Sequence, residues 1–168
     1  MKSKLTIYLI LHNIRSVFNV GSIFRTADAF GVKKIYLVGY TPEPAQKTAL
    51  GAEKYIQYEK AKSVKKILKK LKENKFFIIS LENRVSGSVQ INRFASLASW
   101  KKFNKSARSN KLKNVAIILG NEVRGIPKGI RIASDAVVEI PMRGKKESLN
   151  VAVAAGIALY AINNLLQK

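Results

Sequence analysis

The feature that most constrains the fold of this 168-residue chain is a series of short, almost continuous apolar runs separated by polar and often basic segments. Six runs have the length and composition of β-strands, the third of them weakly: Leu5 to Leu11, Lys33 to Gly39, Tyr55 to Tyr58, Lys75 to Leu81, Val115 to Gly120 and Ala136 to Ile140. Strands that are apolar along their whole length are typical of parallel sheets covered on both faces. The pattern therefore predicts an α/β fold.

Helices are predicted between these strands. The clearest is Ala61 to Asn74, where apolar residues recur at i, i+3, i+4 and i+7 and lysines fill the other face. Gly31 is the expected end of an earlier helix, because glycine is favoured just after a helix C-terminus. The last helix is expected to begin at Ser148, whose hydroxyl would cap its first turn. The other predicted helices are Gly21 to Phe30 and Pro127 to Ser134.

The charge of the chain indicates a polyanionic partner. Lys and Arg number 31 against 10 Asp and Glu, a formal net charge of +21. No acidic residue lies between Glu82 and Glu122, and the basic stretch Arg84 to Lys113 falls within this span. RNA or DNA would neutralise such charge, with an ordinary solvated basic surface as the alternative. A membrane surface is disfavoured, since no helix pairs this charge with a large apolar face.

Within this basic stretch, a short helix is expected around Ala95 to Trp100.

Composition and hydropathy exclude several kinds of site. The chain has no Cys, which excludes disulfides, thiolate metal sites and a Cys nucleophile. Its one histidine, His12, cannot form a His-rich metal site and argues against a Ser-His-Asp triad. No signal peptide is recognisable, and the longest apolar run, Val151 to Ile162, is too short for a bilayer, which needs roughly 20 residues. We expect a cytoplasmic protein with a single domain over residues 1–168.

Three strand-to-helix junctions carry polar residues of functional interest. In the first, Asn19 and Arg25 lie one to two helical turns apart and could both face one site. The second is a tight polar loop between Gly120 and Gly125, and the third contains Ser148 to Asn150. In open α/β sheets, ligands bind at such junctions beyond the carboxyl ends of the strands. Each junction also has a structural explanation, namely helix capping for the first and third and an ordinary turn for the second. Neither a P-loop nor a G-x-G-x-x-G fingerprint is present.

Together and in this order, the junctions resemble the three motifs of the SpoU or TrmH branch of the SPOUT RNA methyltransferases. The matching residues are Asn19-x-Gly-x-x-x-Arg-Thr-Ala-x-x-Phe-Gly31, Leu-Gly-Asn-Glu-x-x-Gly125 and Ile-Pro-Met…Ser-Leu-Asn-Val-Ala-Val-Ala154. The resemblance covers nearly the whole chain, about His12 to Leu166, and three ordered motifs at this spacing are highly specific.

The resemblance implies the SPOUT methyltransferase fold, an α/β domain with a parallel sheet and a deep trefoil knot in its C-terminal part. It also implies a homodimer that uses S-adenosylmethionine to methylate a ribose 2′-hydroxyl of RNA, without a metal. The cofactor contacts that it implies come largely from backbone groups, at Ile79, Ser80, Leu81, Leu119, Gly120, Ile140, Met142, Ser148 and Leu149.

Five residues match the family's catalytic and substrate-site positions: Asn19, Arg25, Glu122, Ser148 and Asn150. By this resemblance Arg25 and Asn19 handle the target ribose and phosphate, Glu122 and Asn150 orient them, and Ser148 holds the region between the cofactor and Arg25. A guanidinium is a poor base, because it stays protonated in proteins. Arg25 would therefore either hold an RNA phosphate that takes the proton or stabilise the developing alkoxide. His12 is a conventional base by its pKa, but it lies outside the motifs.

Substrate and activity each leave an alternative. Many family members carry an additional RNA-binding domain, which we do not expect within these 168 residues. RNA would then be recognised by the methyltransferase domain itself, by the dimer partner or by the basic stretch Arg84 to Lys113. Both tRNA and rRNA are open as substrates. The alternative function is a catalytically silent RNA-binding protein with the same fold, which the intact catalytic positions disfavour. A base methyltransferase of the same superfamily is disfavoured by the Asn and Arg of the first motif.

Overall fold

The computed structural model describes residues 5–96 and 114–166, which form a parallel sheet with helices on both faces. The described strands are β1 Thr6–His12, β2 Lys34–Val38, β3 Gln57–Ala61, β4 Phe77–Leu81, β5 Val89–Gln90, β6 Asn114–Leu119 and β7 Ala136–Glu139. The described α-helices are α1 Val17–Ala29, α2 Gln46–Ala49, α3 Val64–Glu73, α4 Lys128–Ala133 and α5 Val151–Leu166. Short 3₁₀ helices cover Ala52–Lys54 and Ile91–Ser96.

The strand order is β3-β2-β1-β6-β4-β7-β5, and each of these neighbouring pairs is parallel. The α/β parallel-sheet prediction is therefore confirmed. Because all the strands point the same way, their carboxyl ends lie along one edge of the sheet. The loops that follow β1, β4, β6 and β7 leave this edge side by side, since these four strands are consecutive in the sheet. The three sequence motifs lie in or beside these loops.

The core consists of two apolar layers, one on each face of the sheet. On one face α1 and α5 cover the sheet, with Phe24 and Leu159 fully buried against strand residues such as Ile117. On the other face α3 and α4 contribute Ile67 and Ile130. Strands buried on both faces must be apolar at consecutive positions, which explains the continuous runs in the sequence. No helix in the described ranges is long and apolar enough to cross a membrane.

Two predicted helix starts are wrong. Helix α1 begins at Val17 rather than Gly21, because the Ser16 hydroxyl caps it by accepting a hydrogen bond from Asn19 N at 3.3 Å. Helix α5 begins at Val151 rather than Ser148, and the capping residue is Asn150. The Asn150 side-chain oxygen accepts from Ala152 N at 2.8 Å. Both ends were misplaced because several polar residues near each start could act as caps.

The other boundaries agree within a few residues, and Gly31, with φ of 67°, follows the end of α1 as predicted. Strand β5 was missed, because two residues of intermediate burial carry no periodic signal. The helix expected around Ala95 to Trp100 falls mostly on residues outside the described ranges, as does most of the basic stretch from Arg84 to Lys113.

Candidate active site

A cavity of about 270 Å³ lies at the carboxyl edge of the sheet, between the loops after β4, β6 and β7 and the start of α5. Both the second and the third motif contribute to its wall, including Glu122 and Asn150. Six of the nine positions implied for the cofactor also line it: Leu81, Leu119, Gly120, Ile140, Ser148 and Leu149. The structure thus brings together, around one cavity, residues that are up to about 70 positions apart in sequence, as expected for a site at the edge of a parallel sheet.

The other three implied cofactor positions do not line this cavity. Ile79 and Ser80 lie within β4 and are buried, with the Ser80 hydroxyl 2.8 Å from that of Ser134. Met142 lines a neighbouring cavity of about 210 Å³. In place of the two buried residues, Glu82 and Asn83, which directly follow β4, reach the main cavity. Of the three implied positions on β4, Leu81 is the one that lines the cavity.

A chain of side-chain hydrogen bonds connects the three motifs at the mouth of the cavity. The Asn150 amide donates to the Asn19 side-chain oxygen at 3.0 Å. The Asn19 amide in turn donates to a Glu122 carboxylate oxygen, also at 3.0 Å. We call Asn19, Glu122 and Asn150 the motif cluster. It holds the amino-terminal ends of α1 and α5 against the loop after β6.

Glu122 anchors this cluster to the backbone. Its carboxylate accepts hydrogen bonds from Arg15 N, at 3.0 and 3.2 Å for the two oxygens, and from Ser16 N at 3.2 Å. Burial tends to raise the Glu122 pKa, but the hydrogen bonds from Arg15 N, the Asn19 side chain and Ser16 N outweigh it, so the pKa lies below its ordinary value. The carboxylate is therefore ionised at neutral pH and is a weak proton acceptor. Its chemistry suits positioning rather than general base catalysis.

The loop after β6 is shaped by Asn121, which sequence reasoning did not select. Its amide nitrogen donates to Asn13 O and to the Tyr40 hydroxyl, both at 2.8 Å. Its side-chain oxygen accepts from Val123 N at 3.0 Å and Arg124 N at 2.8 Å, which closes a tight turn. The adjacent carboxylate of Glu122 is thereby aimed at the start of α1.

Glu82 supports the same loop from the other side. Its carboxylate accepts a hydrogen bond from Ile126 N at 2.6 Å. Gly125, next to Ile126, has a φ of 64° and touches this carboxylate so closely that a Cβ at that position would collide with it. The position of Glu82 could have revealed it, because a carboxylate directly after a buried strand lies at the carboxyl edge of the sheet. Asn121 has a similar position, two residues after the end of β6.

The two remaining predicted catalytic residues are placed differently. Ser148 lines the cavity but does not cap α5. Arg25 lies on the continuous helix α1, six residues after Asn19, which places it about 9 Å further along the axis and about 120° around it. The two residues therefore do not share a helix face, contrary to the interpretation from spacing. Arg25 is exposed, does not line the cavity of its own chain, and has no hydrogen-bond or ion-pair partner among the described residues.

His12 lies at the end of β1 and is buried, with its Nδ1 atom lacking a hydrogen-bond partner within the described ranges. It does not line the cavity. Burial lowers the pKa of His12 below its ordinary value of 6.5. The imidazole is thus neutral at pH 7 in the folded protein, and its position does not support a role as the catalytic base. Within the same described ranges, no cluster of three or more His, Asp or Glu residues could hold a metal ion.

The lowered pKa values of His12 and Glu122 predict that the protein loses stability as pH falls. Below pH 6.5 the unfolded chain protonates His12 more readily than the folded one, so the free energy of unfolding decreases there. The contribution of Glu122 is present above its ordinary value of 4.5 and is lost as pH falls through its lower folded value. Urea unfolding between pH 5 and 8 should show the first effect, and His12→Leu should flatten it. Equal slopes for both proteins would contradict this assignment.

The fold and the three joined motifs define a class of protein, and the comparison of sequences agrees with them. The sequence profile of the SpoU rRNA Methylase family matches residues 6–160, and the chain belongs to this family. The resemblance found from the three motifs is thereby confirmed.

Curated relatives extend well beyond the region that they share with this chain. YacO of Bacillus subtilis, assigned to the TrmH family of tRNA/rRNA methyltransferases, is 28% identical over 166 residues, which cover 96% of this chain and 59% of YacO. RlmB of Coxiella burnetii, a 23S rRNA (guanosine-2′-O-)-methyltransferase, is 28% identical over 159 residues, covering 92% of this chain and 56% of RlmB. The chain therefore spans somewhat more than half the length of these relatives.

A solved structure shows the same fold. The rRNA methyltransferase of Sinorhizobium meliloti, crystallised with AdoMet bound, superposes with a TM-score of 0.79 at 27% identity, over 96% of this chain and 57% of that protein. The parallel-sheet SPOUT methyltransferase architecture implied by the motifs is thereby confirmed.

Proposed function

We propose that the protein is an S-adenosylmethionine-dependent RNA methyltransferase that transfers a methyl group to a ribose 2′-hydroxyl of tRNA or rRNA. The observation that carries the proposal is the motif cluster, in which hydrogen bonds join residues of all three motifs at the mouth of one cavity. The activities named for RlmB and for the Sinorhizobium meliloti protein agree with it.

The cavity suits the cofactor in size, polarity and charge. Its volume of about 270 Å³ is slightly below the range of about 300–1,000 Å³ for ligand pockets. Apolar side chains such as Leu119 and Leu149 alternate with amides such as Asn83. In a chain of net charge +21, the charged side chains that line it are the carboxylates of Glu82 and Glu122, and no Lys or Arg of the described residues does so. A cavity lined by carboxylates favours a cationic ligand, and S-adenosylmethionine carries a positive sulfonium.

The residues that would hold the cofactor are those of the cavity wall, with backbone groups of Leu81, Leu119, Gly120, Ile140, Ser148 and Leu149 foremost, and with Met142 beside them. When bound, the cofactor supplies an electrophilic methyl group, so the reaction requires no metal. The protein must then align the ribose oxygen and stabilise or remove its proton.

The motif cluster and Arg25 divide this work. Glu122, ionised and hydrogen-bonded to the backbone, keeps Asn19 oriented, and Asn150 fixes the other side of the same amide. Arg25 is the positively charged residue of the first motif, and it has no hydrogen-bond or ion-pair partner among the described residues. Its guanidinium can therefore bind an RNA phosphate or a developing alkoxide. Ser148 lines the cavity wall, and it would hold the region between the bound cofactor and Arg25.

An apolar surface on α1 and α5 supports the homodimer. Val153 is 52% exposed, Tyr160 63% and Phe18 72%, and Ile157 lies between the first two on α5. A shallow depression of about 420 Å³ runs between the helices beside the motif cluster. We propose that a second copy of the chain covers this surface. Arg25 does not line the cavity of its own chain. In the dimer, Arg25 of one subunit would complete the active site of the other.

Ile157→Glu tests the dimer. A buried charge at the interface should shift the protein to monomer and lower methyl transfer by more than about 10-fold, because unpaired charges are costly to bury. Ile132→Glu is the matched control, since Ile132 is an exposed isoleucine on α4, on the opposite face of the sheet. Sedimentation velocity on both variants gives the result. A monomeric wild-type protein, or a dimer that persists in Ile157→Glu, would refute the proposed interface.

We propose a deep trefoil knot in the C-terminal part of the chain. It is supported by contacts between the segment after β7 and the loop after β4: the Asn83 side chain accepts from Ile140 N at 3.1 Å and donates to Glu147 O at 3.4 Å, and Arg84 forms an ion pair with Glu147. We also propose that residues 1–168 act as one methyltransferase domain and that the protein works in the cytoplasm, where tRNA and rRNA are found.

Transfer of labelled methyl groups to unmodified tRNA and rRNA pools tests the proposed function. We expect one pool to be labelled and S-adenosylmethionine to bind in the absence of RNA. The competing hypothesis, a silent RNA-binding protein of the same fold, predicts RNA binding without labelling of either pool and does not require cofactor binding. Labelling of one pool alone would also decide between tRNA and rRNA.

A further inference from the structure

Tyr40 is an exposed aromatic ring at the carboxyl edge of the sheet, next to the motif cluster. It follows β2, and its side chain is 59% exposed. Two hydrogen bonds hold it in place: Tyr40 N donates to the Asn13 side-chain oxygen at 3.2 Å, and the Tyr40 hydroxyl accepts from the Asn121 amide at 2.8 Å. The backbone N–H and the hydroxyl of the residue are thus anchored, while more than half of its surface stays exposed to solvent.

The backbone around Tyr40 is constrained on both sides. Gly39 has a φ of 68°, and a Cβ there would collide with the Asn13 side-chain oxygen. Thr41 is buried, and its hydroxyl donates to Leu11 O and accepts from Ile14 N. The turn therefore fixes the position of a large aromatic side chain that contributes little to the core. Tyrosine is enriched at interfaces, because its hydroxyl can be hydrogen-bonded while its ring offers an apolar contact surface.

The surroundings of Tyr40 connect it to the active site and to positive charge. Asn121, which binds the Tyr40 hydroxyl, immediately precedes Glu122 of the motif cluster. Asn121 also binds Arg124 N, and Glu122 binds Arg15 N. The side chains of Arg15 and Arg124 are exposed and have no ion-pair partner among the described residues. An aromatic ring is therefore held by the same loop network that fixes the backbone of two exposed arginines.

We propose that Tyr40 is a stacking platform for a base of the substrate RNA beside the target ribose, with Arg15 and Arg124 binding flanking phosphates. Proteins recognise unpaired RNA bases by stacking them on aromatic side chains, while cations contact the backbone. The inference rests on the proposed function, since it assigns a role in recognition of the RNA that is methylated.

A structural role for the Tyr40 hydroxyl is the competing explanation, because this group supports Asn121. Two substitutions separate the roles. Tyr40→Phe keeps the ring and removes the hydrogen bond, whereas Tyr40→Leu removes the aromatic face and keeps an apolar side chain. Tyr55→Ala is the matched control, since Tyr55 is 78% exposed and precedes β3, at the amino edge of the sheet. Circular dichroism and thermal unfolding verify that each variant is folded.

The measurement is the dissociation constant for unmodified tRNA and rRNA transcripts, determined at several salt concentrations. We expect Tyr40→Leu to weaken binding about 5- to 100-fold, the effect of losing one stacked base. The salt dependence should stay unchanged, because a neutral ring releases no counterions, whereas Arg124→Ala should reduce its slope by about one. Tyr40→Phe and Tyr55→Ala should bind RNA within about twofold of wild type.

The outcomes distinguish this inference from the proposed function. Equal losses in Tyr40→Phe and Tyr40→Leu would assign the effect to the hydroxyl and overturn the inference. An unchanged RNA affinity in Tyr40→Leu would overturn it too. Absence of methyl transfer by the wild-type protein counts against the proposed function alone, provided that the stated pattern of RNA affinities is still found.

Discussion

Arg25→Ala is expected to lower methyl transfer to RNA by about 100-fold or more, while S-adenosylmethionine binding stays within about twofold of wild type. The expected loss is that for removing one group that stabilises developing charge, about 10²- to 10³-fold in rate. Cofactor binding should persist because Arg25 does not line the cavity. Folding should persist because Arg25 is exposed on a helix and has no partner within the described ranges, and alanine favours helix.

Two variants make the Arg25 experiment specific. Lys65→Ala removes an exposed positive charge from α3, on the other face of the sheet, and should leave activity within about twofold. Arg25→Lys keeps the charge but loses the two-pronged geometry that suits phosphate, so an intermediate activity is expected. Single-turnover rates with saturating RNA give the comparison. If Arg25→Ala retained more than a third of the wild-type rate, the assignment of Arg25 to the reaction would be wrong.

Gly120→Ala is expected to weaken cofactor binding by more than about 10-fold and to lower the free energy of unfolding by about 1–3 kcal/mol, as for other overpacking substitutions. Gly120 follows β6 directly, and a Cβ there would lie 2.6 Å from the carbonyl carbon of Gly125 and 2.7 Å from Ile126 N. These are backbone atoms of the loop that carries Asn121 and Glu122, so the loop itself must move. Both the cavity wall and the motif cluster would be displaced.

Gly129→Ala is the matched control for Gly120→Ala. Gly129 lies within α4, and a Cβ there would have no atom within 4 Å. The free energy of unfolding should stay the same or rise by about 0.5–1 kcal/mol, because alanine is the better helix former. Calorimetric titration of the cofactor and urea unfolding measure the two effects. Equal cofactor affinities in both variants would show that the loop after β6 does not form the cofactor site.

The sheet was predictable because its physical cause is visible in the sequence. Strands β1, β2, β4 and β6 are buried along most of their length, and most of their residues are apolar. Such continuous apolar runs are typical of strands that are covered on both faces of a sheet. Strand β5 is too short to show a pattern. The starts of helices were less predictable, because each start has two residues that could act as a cap. The candidates are Ser16 and Asn19 for α1, and Ser148 and Asn150 for α5, and the folded structure selects Ser16 and Asn150.

The candidate site was predictable in its location and incomplete in its members. The motifs and the topology of parallel strands place Asn19, Glu122 and Asn150 together, and the hydrogen bonds join them. Spacing alone could not place Arg25 relative to the cavity, because helical periodicity relates residues of one helix only to one another. Tyr40 and Glu82 were missed because their role depends on contacts with Asn121 and Ile126, which lie far away in sequence.

The most direct test of the account is the chemical position of the methyl group after wild-type protein, S-adenosylmethionine and unmodified RNA have been incubated together. Nuclease digestion and mass spectrometry of the nucleosides identify that position. We predict a nucleoside methylated on the ribose 2′-oxygen, present with the wild-type protein and absent with Arg25→Ala. A methyl group on a base, or no methylated nucleoside in either RNA pool, would contradict the account.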